Sequence, residues 1–168
     1  MQQILVRPER CLGCKNCELA CSVAHSSQGE LFTALSSGEQ PIRRVRVETN
    51  ATHSINLPIQ CRQCSEPKCV QACMTGAMQR DEQSGLVVNH QEKCVGCWMC
   101  VMVCPYGVIV PSEGHKVALK CDQCFTLDRD PACVQACPTK ALKFESIPAF
   151  ERRVRQEYLT RFLTGEEA

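Results

Sequence analysis

The chain has few of the large side chains from which a conventional protein core is built. Only 5% of its 168 residues are aromatic, and it contains a single Trp. A domain of this length ordinarily depends on burial of bulky apolar side chains. The shortage predicts that something other than apolar packing holds much of the fold together.

Long hydrophobic segments are also missing. No stretch approaches the roughly eighteen consecutive apolar residues of a membrane span, and the most apolar segment, 101–110, is interrupted by Cys104, Pro105 and Gly107. The first ten residues, MQQILVRPER, lack the apolar run of a signal peptide. We therefore expect no membrane span and a cytoplasmic location, which is a reducing environment.

The charge pattern offers little for nucleic acid. The formal net charge is +1, and the two arginine groups are not interleaved with aromatic residues. The sequence has no Gly-rich nucleotide fingerprint and no recognisable catalytic triad or carboxylate pair. The four histidines stand alone in polar contexts and are expected at the surface: His25, His53, His90 and His115. We expect no nucleic-acid partner and no catalytic residues.

Cysteine is the abundant residue, with sixteen in the chain. They fall into four groups of four, each beginning with CxxC and ending with CxxxC. The groups are Cys11, Cys14, Cys17, Cys21; Cys61, Cys64, Cys69, Cys73; Cys94, Cys97, Cys100, Cys104; and Cys121, Cys124, Cys133, Cys137. Only the spacer between the second and third cysteine of each group varies.

This spacing is typical of [4Fe-4S] clusters. In the pattern C-x2-C-x2-C-x3-C-P, three cysteines bind one cluster and the fourth binds its neighbour. The third group matches in full, whereas Ser22 and Met74 replace the proline after Cys21 and Cys73. Pairs of CxxC also occur in zinc sites, but zinc does not require the CxxxC continuation present in every group. We predict four [4Fe-4S] clusters with these sixteen cysteines as iron ligands.

The groups repeat in the order A-B-A-B, which indicates duplication of a unit with two groups. ERCLGCKNC in the first group corresponds to EKCVGCWMC in the third, and CVQAC occurs in both the second and the fourth. Between the second and third groups, TGAMQRDEQSGLVVN predicts a β-hairpin that turns at Gly85, with a second strand at 86–88. We expect a loop at 26–40, a strand at 42–47 and an amphipathic helix at 148–163. The apolar side of that helix would carry Phe150, Val154, Tyr158, Leu159 and Phe162.

Connector length predicts which groups share clusters. The short hairpin joins the second and third groups into an interlocked pair, which leaves the outer two groups to pair with each other. The predicted ligand sets are set 1, Cys11, Cys14, Cys17 and Cys137; set 2, Cys61, Cys64, Cys69 and Cys104; set 3, Cys94, Cys97, Cys100 and Cys73; and set 4, Cys121, Cys124, Cys133 and Cys21. The predicted divisions are an outer module at 1–21 plus 105–147, a connecting insertion at 22–60, an inner module at 61–104, and a C-terminal helix and tail at 148–168.

The order of the four groups, together with ILVRPERCLGCKNCELAC and LPIQCRQCSEPKCVQAC, resembles the four-cluster ferredoxin-type subunits of molybdenum or tungsten oxidoreductases, hydrogenases and carbon monoxide dehydrogenases. The resemblance implies an α+β fold of two ferredoxin-like modules related by a pseudo-twofold axis. It also implies a non-catalytic subunit that relays electrons between a catalytic oxidoreductase subunit and a carrier, such as a flavin- or NAD-linked subunit or a ferredoxin. A free polyferredoxin and a zinc-stabilised interaction module remain as alternatives.

Three lysines stand beside predicted ligands and bear on how the clusters are tuned. Lys15 follows Cys14, Lys93 precedes Cys94 and Lys120 precedes Cys121. A cation close to a cluster raises its reduction potential, since net charge and solvent exposure help to set it. These three lysines either raise the potential of the nearby cluster or are solvated surface charges, and the second interpretation is favoured for all three.

Overall fold

The computed structural model describes residues 2–39, 41–112 and 114–165. In these residues the fold is a small α+β structure of short helices and four two-stranded antiparallel sheets. This agrees with the predicted fold class at the level of its elements. No helix in the described ranges has the length and apolar character needed to span a bilayer.

The elements follow each other in two similar series. The first contains β1 (Gln2–Val6), a 3-10 turn (Pro8–Arg10), α1 (Asn16–Ala24), α2 (Leu31–Ser36), β2 (Val45–Asn50), β3 (Ile55–Gln60), α3 (Lys68–Gln71) and β4 (Met78–Arg80). The second contains β5 (Val87–Asn89), a 3-10 turn (Gln91–Lys93), α4 (Met99–Val103), β6 (Val110–Ser112), β7 (Val117–Leu119), a 3-10 turn (Phe125–Leu127), α5 (Ala132–Gln135), β8 (Leu142–Ser146) and α6 (Ile147–Thr164). The repeat of elements parallels the repeat of cysteine groups.

Two of the four strand pairs connect the two series. β1 pairs with β8, with Gln2 opposite Ser146, and β4 pairs with β5. The β4–β5 pair is the hairpin that the sequence predicts, and Gly85 in its turn has a φ of +71°, which glycine adopts without steric cost. β2 pairs with β3 and β6 pairs with β7, each within one series.

In the segment before β3, one expectation is wrong and the bounds of another are shifted. The predicted loop at 26–40 contains α2, which begins where the Glu30 carboxylate accepts hydrogen bonds from the Phe32 and Thr33 amides; Gln40 lies outside the described residues. The strand predicted at 42–47 begins only at Val45. The amide of Arg44 donates to the sulfur of Cys21 at 3.2 Å, so this part of the backbone serves a thiol instead of a β-ladder.

Cysteines make up a large share of both hydrophobic clusters. The first contains Ile4, Cys17, Cys21, Val45, Val47, Cys121, Cys133, Cys137, Ala141 and Leu142. The second contains Met78, Val87, Cys100, Ile109 and Ala118, with Cys69, Cys73, Cys94 and Cys104 packed against it. The division into an outer and an inner module stays a prediction; each cluster of buried residues draws on both halves of the chain.

The predicted C-terminal helix is confirmed as α6, which begins after the Ser146 cap and ends before Gly165. Its predicted apolar side is only partly covered: Phe150 and Val154 are half-buried, whereas Tyr158, Leu159 and Phe162 are exposed. Ion pairs attach the helix to the body. The Glu157 carboxylate accepts hydrogen bonds from three guanidinium groups, those of Arg7, Arg10 and Arg153.

Candidate metal centres

In each cysteine group the first two thiols lie in a loop and the third lies in the helix that follows. Cys17 is in α1, Cys69 in α3, Cys100 in α4 and Cys133 in α5. In the first and third groups the residue before the helix has a left-handed backbone, with φ of +61° at Lys15 and +62° at Trp98. The matching geometry shows that the repeated motif CxGCxxC produces the same loop twice.

The glycines of these two loops, Gly13 and Gly96, each have a φ of +68° and lie close to another part of the chain. A Cβ at Gly96 would lie 2.5 Å from the carbonyl oxygen of Lys116, and one at Gly13 would lie 2.7 Å from the Asn56 Oδ1. The glycines are therefore required by contacts between the loop and its neighbours.

The four cysteines of set 2 line one cavity of about 530 Å³. Three of them, Cys61, Cys64 and Cys69, come from the second group, and Cys104 comes from the third. A [4Fe-4S] cluster needs thiolates that surround it from several directions, and bacterial ferredoxin motifs take the fourth from the neighbouring motif. The donor set of this cavity fits such a cluster.

Most thiols of sets 1 and 4 belong to the first hydrophobic cluster or pack against it: Cys11, Cys17 and Cys137 of set 1, and Cys21, Cys121 and Cys133 of set 4. Burial raises the pKa of Cys17 to about 11, and thiolate charge on Cys11 and Cys137 adds to the rise. Burial also raises the pKa of Cys133, to which charge on Cys121 and Cys21 contributes. Thus Cys137 lies near the first group, and Cys21 lies near the fourth.

In predicted set 3, a thiol of the second group likewise lies near thiols of the third. Burial raises the pKa of Cys100 to about 11, and the thiolates of Cys94, Cys69 and Cys73 add to it. The thiol of Cys73, which ends the second group, therefore lies within electrostatic range of the third. Exposed thiols occur in two sets only: Cys14 in set 1 and Cys97 in set 3.

Backbone amides bind several of the sulfurs. Burial opposes ionisation of Cys73, but hydrogen bonds to its sulfur, led by the Met78 amide at 3.3 Å, lower its pKa overall. Cys137 is equivalent: its pKa is also lowered against burial, with the Leu142 amide as the main donor. Hydrogen bonds to sulfur favour the thiolate needed for iron binding and help to set cluster potentials.

The expectation that Lys120 is a solvated charge is wrong. Its side chain is almost entirely buried, and its ammonium donates hydrogen bonds to the carbonyl oxygens of Val87 and, at 3.0 Å, Cys121. Lys15 and Lys93 are exposed, as expected. Lys120 directly follows β7, in which Val117 and Ala118 are buried, so its side chain starts from the interior of the protein.

Gln63 is a buried residue that sequence reasoning missed. Its Nε2 donates to the Cys121 carbonyl at 3.0 Å, and its Oε1 accepts from the Val87 amide at 2.8 Å. It therefore contacts the same two residues as Lys120. The available signal was the shared CxQC of the second and fourth groups, because Gln63 and Gln123 occupy the same place in the repeat and both have positive φ.

His25 differs from the expected surface position. It is half-buried, and burial together with the charge of Arg44 lowers its pKa to about 4. Arg44 itself forms an ion pair with the buried Asp122 at 3.1 Å. The histidine is therefore neutral near pH 7 and packs beside a charged pair close to set 4.

No cluster of three or more His, Cys, Asp or Glu side chains suited to a single metal ion occurs in residues 2–39, 41–112 and 114–165. A cubane cluster does not require such a group, because each of its four thiolates binds a different iron atom.

Comparison with known proteins decides between clusters and zinc. The family described as "4Fe-4S dicluster domain" matches residues 52–147, a range that includes the second, third and fourth cysteine groups. An iron-sulfur protein of Rhodospirillum rubrum is 40% identical over 169 aligned residues, covering 91% of this chain and 86% of that protein. The electron transport protein HydN of Escherichia coli strain K12 is 34% identical, covering 89% of this chain and 94% of that protein.

A third relative is the thiosulfate reductase electron transfer subunit PhsB of Salmonella typhi, which is 36% identical over 85% of this chain and 75% of its own length. The alignments reach well beyond residues 52–147. The zinc alternative is set aside by these relationships, and the prediction of four [4Fe-4S] clusters is confirmed. The chain belongs to the 4Fe-4S dicluster domain family and is a non-catalytic iron–sulfur electron-transfer protein.

Proposed function

We propose that this chain is the electron-relay subunit of an oxidoreductase complex and that its four cysteine sets form a line in the order 1, 4, 2, 3. Each bound cluster accepts and returns one electron. The chain supplies the ligands, their spacing and the surfaces at the two ends of the line. The predicted pseudo-twofold arrangement of two ferredoxin-like modules is part of this proposal, and the repeated order of elements supports it.

The order of the sets is supported by which thiols influence each other. Charge on Cys17 of set 1 adds to the effect of burial on the pKa of Cys133 in set 4. Burial raises the pKa of Cys121 in set 4 to about 12, and charge on Cys61 of set 2 contributes. Charge on Cys69 of set 2 likewise affects Cys100 of set 3. Each neighbouring pair of sets in the proposed line is linked by one of these electrostatic influences.

The ends of the line offer surfaces for partners. Cys14 of set 1 and Cys97 of set 3 are exposed, and Leu12 and Val95, two residues before them, are 71% and 63% exposed. Equivalent loops of the two repeats thus present an apolar side chain next to an accessible ligand. We propose that one loop docks on a catalytic subunit and the other on an electron carrier, such as a flavin- or NAD-linked subunit or a ferredoxin.

The observation that carries the proposal is the cavity formed by three cysteines of one group and one of another. A relative named as the electron transfer subunit of thiosulfate reductase supports a role in a complex with a catalytic subunit. A free polyferredoxin would need docking sites as well, but a shuttle has no need for four centres in a line. A reducing cytoplasmic location suits unprotected thiolates and clusters.

Paired cysteine substitutions test the ligand sets. After anaerobic purification, wild-type protein should contain about sixteen irons, and each single Cys→Ala variant should lose about four. Cys21→Ala combined with Cys133→Ala should lose no more than either alone, because both residues belong to set 4. Cys21→Ala combined with Cys17→Ala should lose about eight irons. The reverse result would show that the first group completes its own cluster.

Native isolation tests the relay. The untagged chain should co-purify with a larger redox subunit. Replacement of Leu12 or Val95 by Asp should release one partner without changing the iron content of the chain. The exposed Leu35 of α2 provides a matched control because it is remote in sequence from every cysteine group. Recovery of the wild-type chain only as an iron-loaded monomer that reduces soluble acceptors would favour the free polyferredoxin.

A further inference from the structure

Lys120 places a positive charge in the interior of the protein. Its relative exposure is 2%, and fully buried lysines are rare unless a compensating group is nearby. The ammonium donates to two backbone carbonyls, those of Val87 in β5 and Cys121. These bonds satisfy hydrogen-bonding capacity but do not neutralise the charge.

The neighbouring cation is different in this respect. The guanidinium of Arg44 is held 3.1 Å from the buried carboxylate of Asp122, so that pair is close to neutral overall. In the described part of the chain, no carboxylate oxygen lies within 4.0 Å of the Lys120 ammonium. The free-energy cost of burying an unpaired charge is normally balanced by a nearby opposite charge. Bound clusters with four thiolates are anionic and supply such a charge.

Two of the proposed sets lie close to this charge. Val87, whose carbonyl accepts a hydrogen bond from the Lys120 ammonium, lines the same cavity as the four cysteines of set 2. The ammonium also binds the backbone of Cys121 directly. Gln63, one residue before Cys64, joins the same contact by bonding to Cys121 and Val87. The site therefore lies where the second and fourth groups meet.

We propose that the fixed positive charge of Lys120 raises the reduction potentials of the centres at sets 2 and 4 together, relative to those at sets 1 and 3. The inference rests on the ligand sets proposed above. Reduction adds one electron to a centre, here supplied by dithionite, and no bond in the protein forms or breaks. A fixed cation stabilises the more negative reduced state, so its removal makes reduction harder.

The expected effect follows from Coulomb's law. Two unit charges about 10 Å apart, in a medium of effective dielectric constant about 20, alter an equilibrium by roughly tenfold. A tenfold change in a one-electron equilibrium corresponds to about 59 mV. Charges exposed to solvent have much smaller effects because water and salt screen them.

The test is an anaerobic redox titration of the complete, iron-loaded chain, followed by electron paramagnetic resonance. Lys120→Met removes the charge and retains an unbranched side chain, whereas Lys120→Arg retains the charge. Lys15→Met and Lys93→Met are matched controls, because these exposed lysines are also adjacent to ligands. Single cysteine variants of sets 2 and 4 assign the signals.

We expect Lys120→Met to disfavour reduction of two centres, those of sets 2 and 4, by about tenfold, with Lys120→Arg near wild type and both controls unchanged. Equal shifts in the Met and Arg variants, or a shift confined to set 1 or 3, would overturn the inference. So would loss of iron in both Lys120→Met and Lys120→Gln, since it would assign the residue to assembly. If wild-type protein lacks four one-electron centres, the proposed function fails before any lysine variant is titrated.

Discussion

Replacement of Gly96 by alanine should destabilise the third cysteine group more than the same change at Gly13 or Gly76. All three glycines have φ between +66° and +68°. An alanine at any of these positions destabilises the fold by about 1–2 kcal/mol, because its backbone must be left-handed. Nothing lies within 4 Å of a Cβ at Gly76. Gly76→Ala therefore measures the backbone cost alone.

The neighbours of Gly13 and Gly96 determine which alanine is more destabilising. At Gly13 the new methyl group would meet the Asn56 side chain, which can turn away by giving up its bonds with Thr49 and with the Cys11 carbonyl, at a cost of about 1 kcal/mol. At Gly96 the obstacle is the backbone carbonyl of Lys116. Its retreat would disturb β7, whose Ala118 amide donates to the Cys94 sulfur at 3.5 Å.

Overpacking against a fixed group costs about 1–3 kcal/mol. Gly96→Ala should therefore destabilise the protein by about 2 kcal/mol more than Gly76→Ala does. The measurement is the anaerobic rate of loss of cluster absorbance in guanidinium chloride, since such unfolding is irreversible and rate-determined. The rates should increase in the order Gly76, Gly13, Gly96, and the span should be up to about thirtyfold. Equal rates for Gly13→Ala and Gly96→Ala would refute the claim that β7 resists displacement.

Glu157→Gln should speed amide hydrogen exchange in α6, because Glu157 pairs with Arg7, Arg10 and Arg153; the expected loss is about 1 kcal/mol after solvent screening. Glu151→Gln, which breaks only an exposed pair with Arg155, should have no such effect, and equal exchange in both variants would contradict the assignment. The hydrogen bond from Arg7 lowers the pKa of Glu157 to about 2 from 4.5, so its contribution is complete above pH 4.5 and is lost as the pH falls towards 2. Removal of iron by a chelator should abolish cooperative unfolding, because five of the ten buried residues in the first hydrophobic cluster are cysteines; calorimetry that finds a sharp transition in the apo-protein would contradict this. Reconstitution with iron and sulfide should release protons at pH 7, measurable in weakly buffered solution, because burial raises the pKa of Cys17 and Cys100 to about 11.

Local signals in the sequence predicted the elements that depend on nearby residues. The β4–β5 hairpin follows from alternating residues on either side of Gly85, and α6 follows from a serine cap, an early proline and a terminal glycine. By contrast, α2 begins at a glutamate cap within a segment rich in Ser and Gly, where turn residues conceal a short helix. The cysteine spacing sufficed to predict the cofactor.

Local sequence patterns did not predict the contacts between residues that are distant in the chain. The pairing of β1 with β8 joins Gln2 to Ser146, and no periodicity within either strand specifies its partner. The burial of Lys120 depends on β5 and the second cysteine group meeting the fourth. Composition places lysine at the surface by default, so only the tertiary structure identifies this exception. His25 is a second exception: it is half-buried, near the charged groups of Arg44 and Asp122 on other segments of the chain.

The strand pairs that connect the two series have a consequence for a protein of half this length. A chain ending after β4 would lack the partners of both β1 and β4, since these strands pair with β8 and β5. Its open strands could be satisfied by a second identical copy, arranged so that the first strand of each copy pairs with the last strand of the other. Duplication would then have converted an obligate homodimer into a single chain, with the β4–β5 turn as the covalent link between the former subunits.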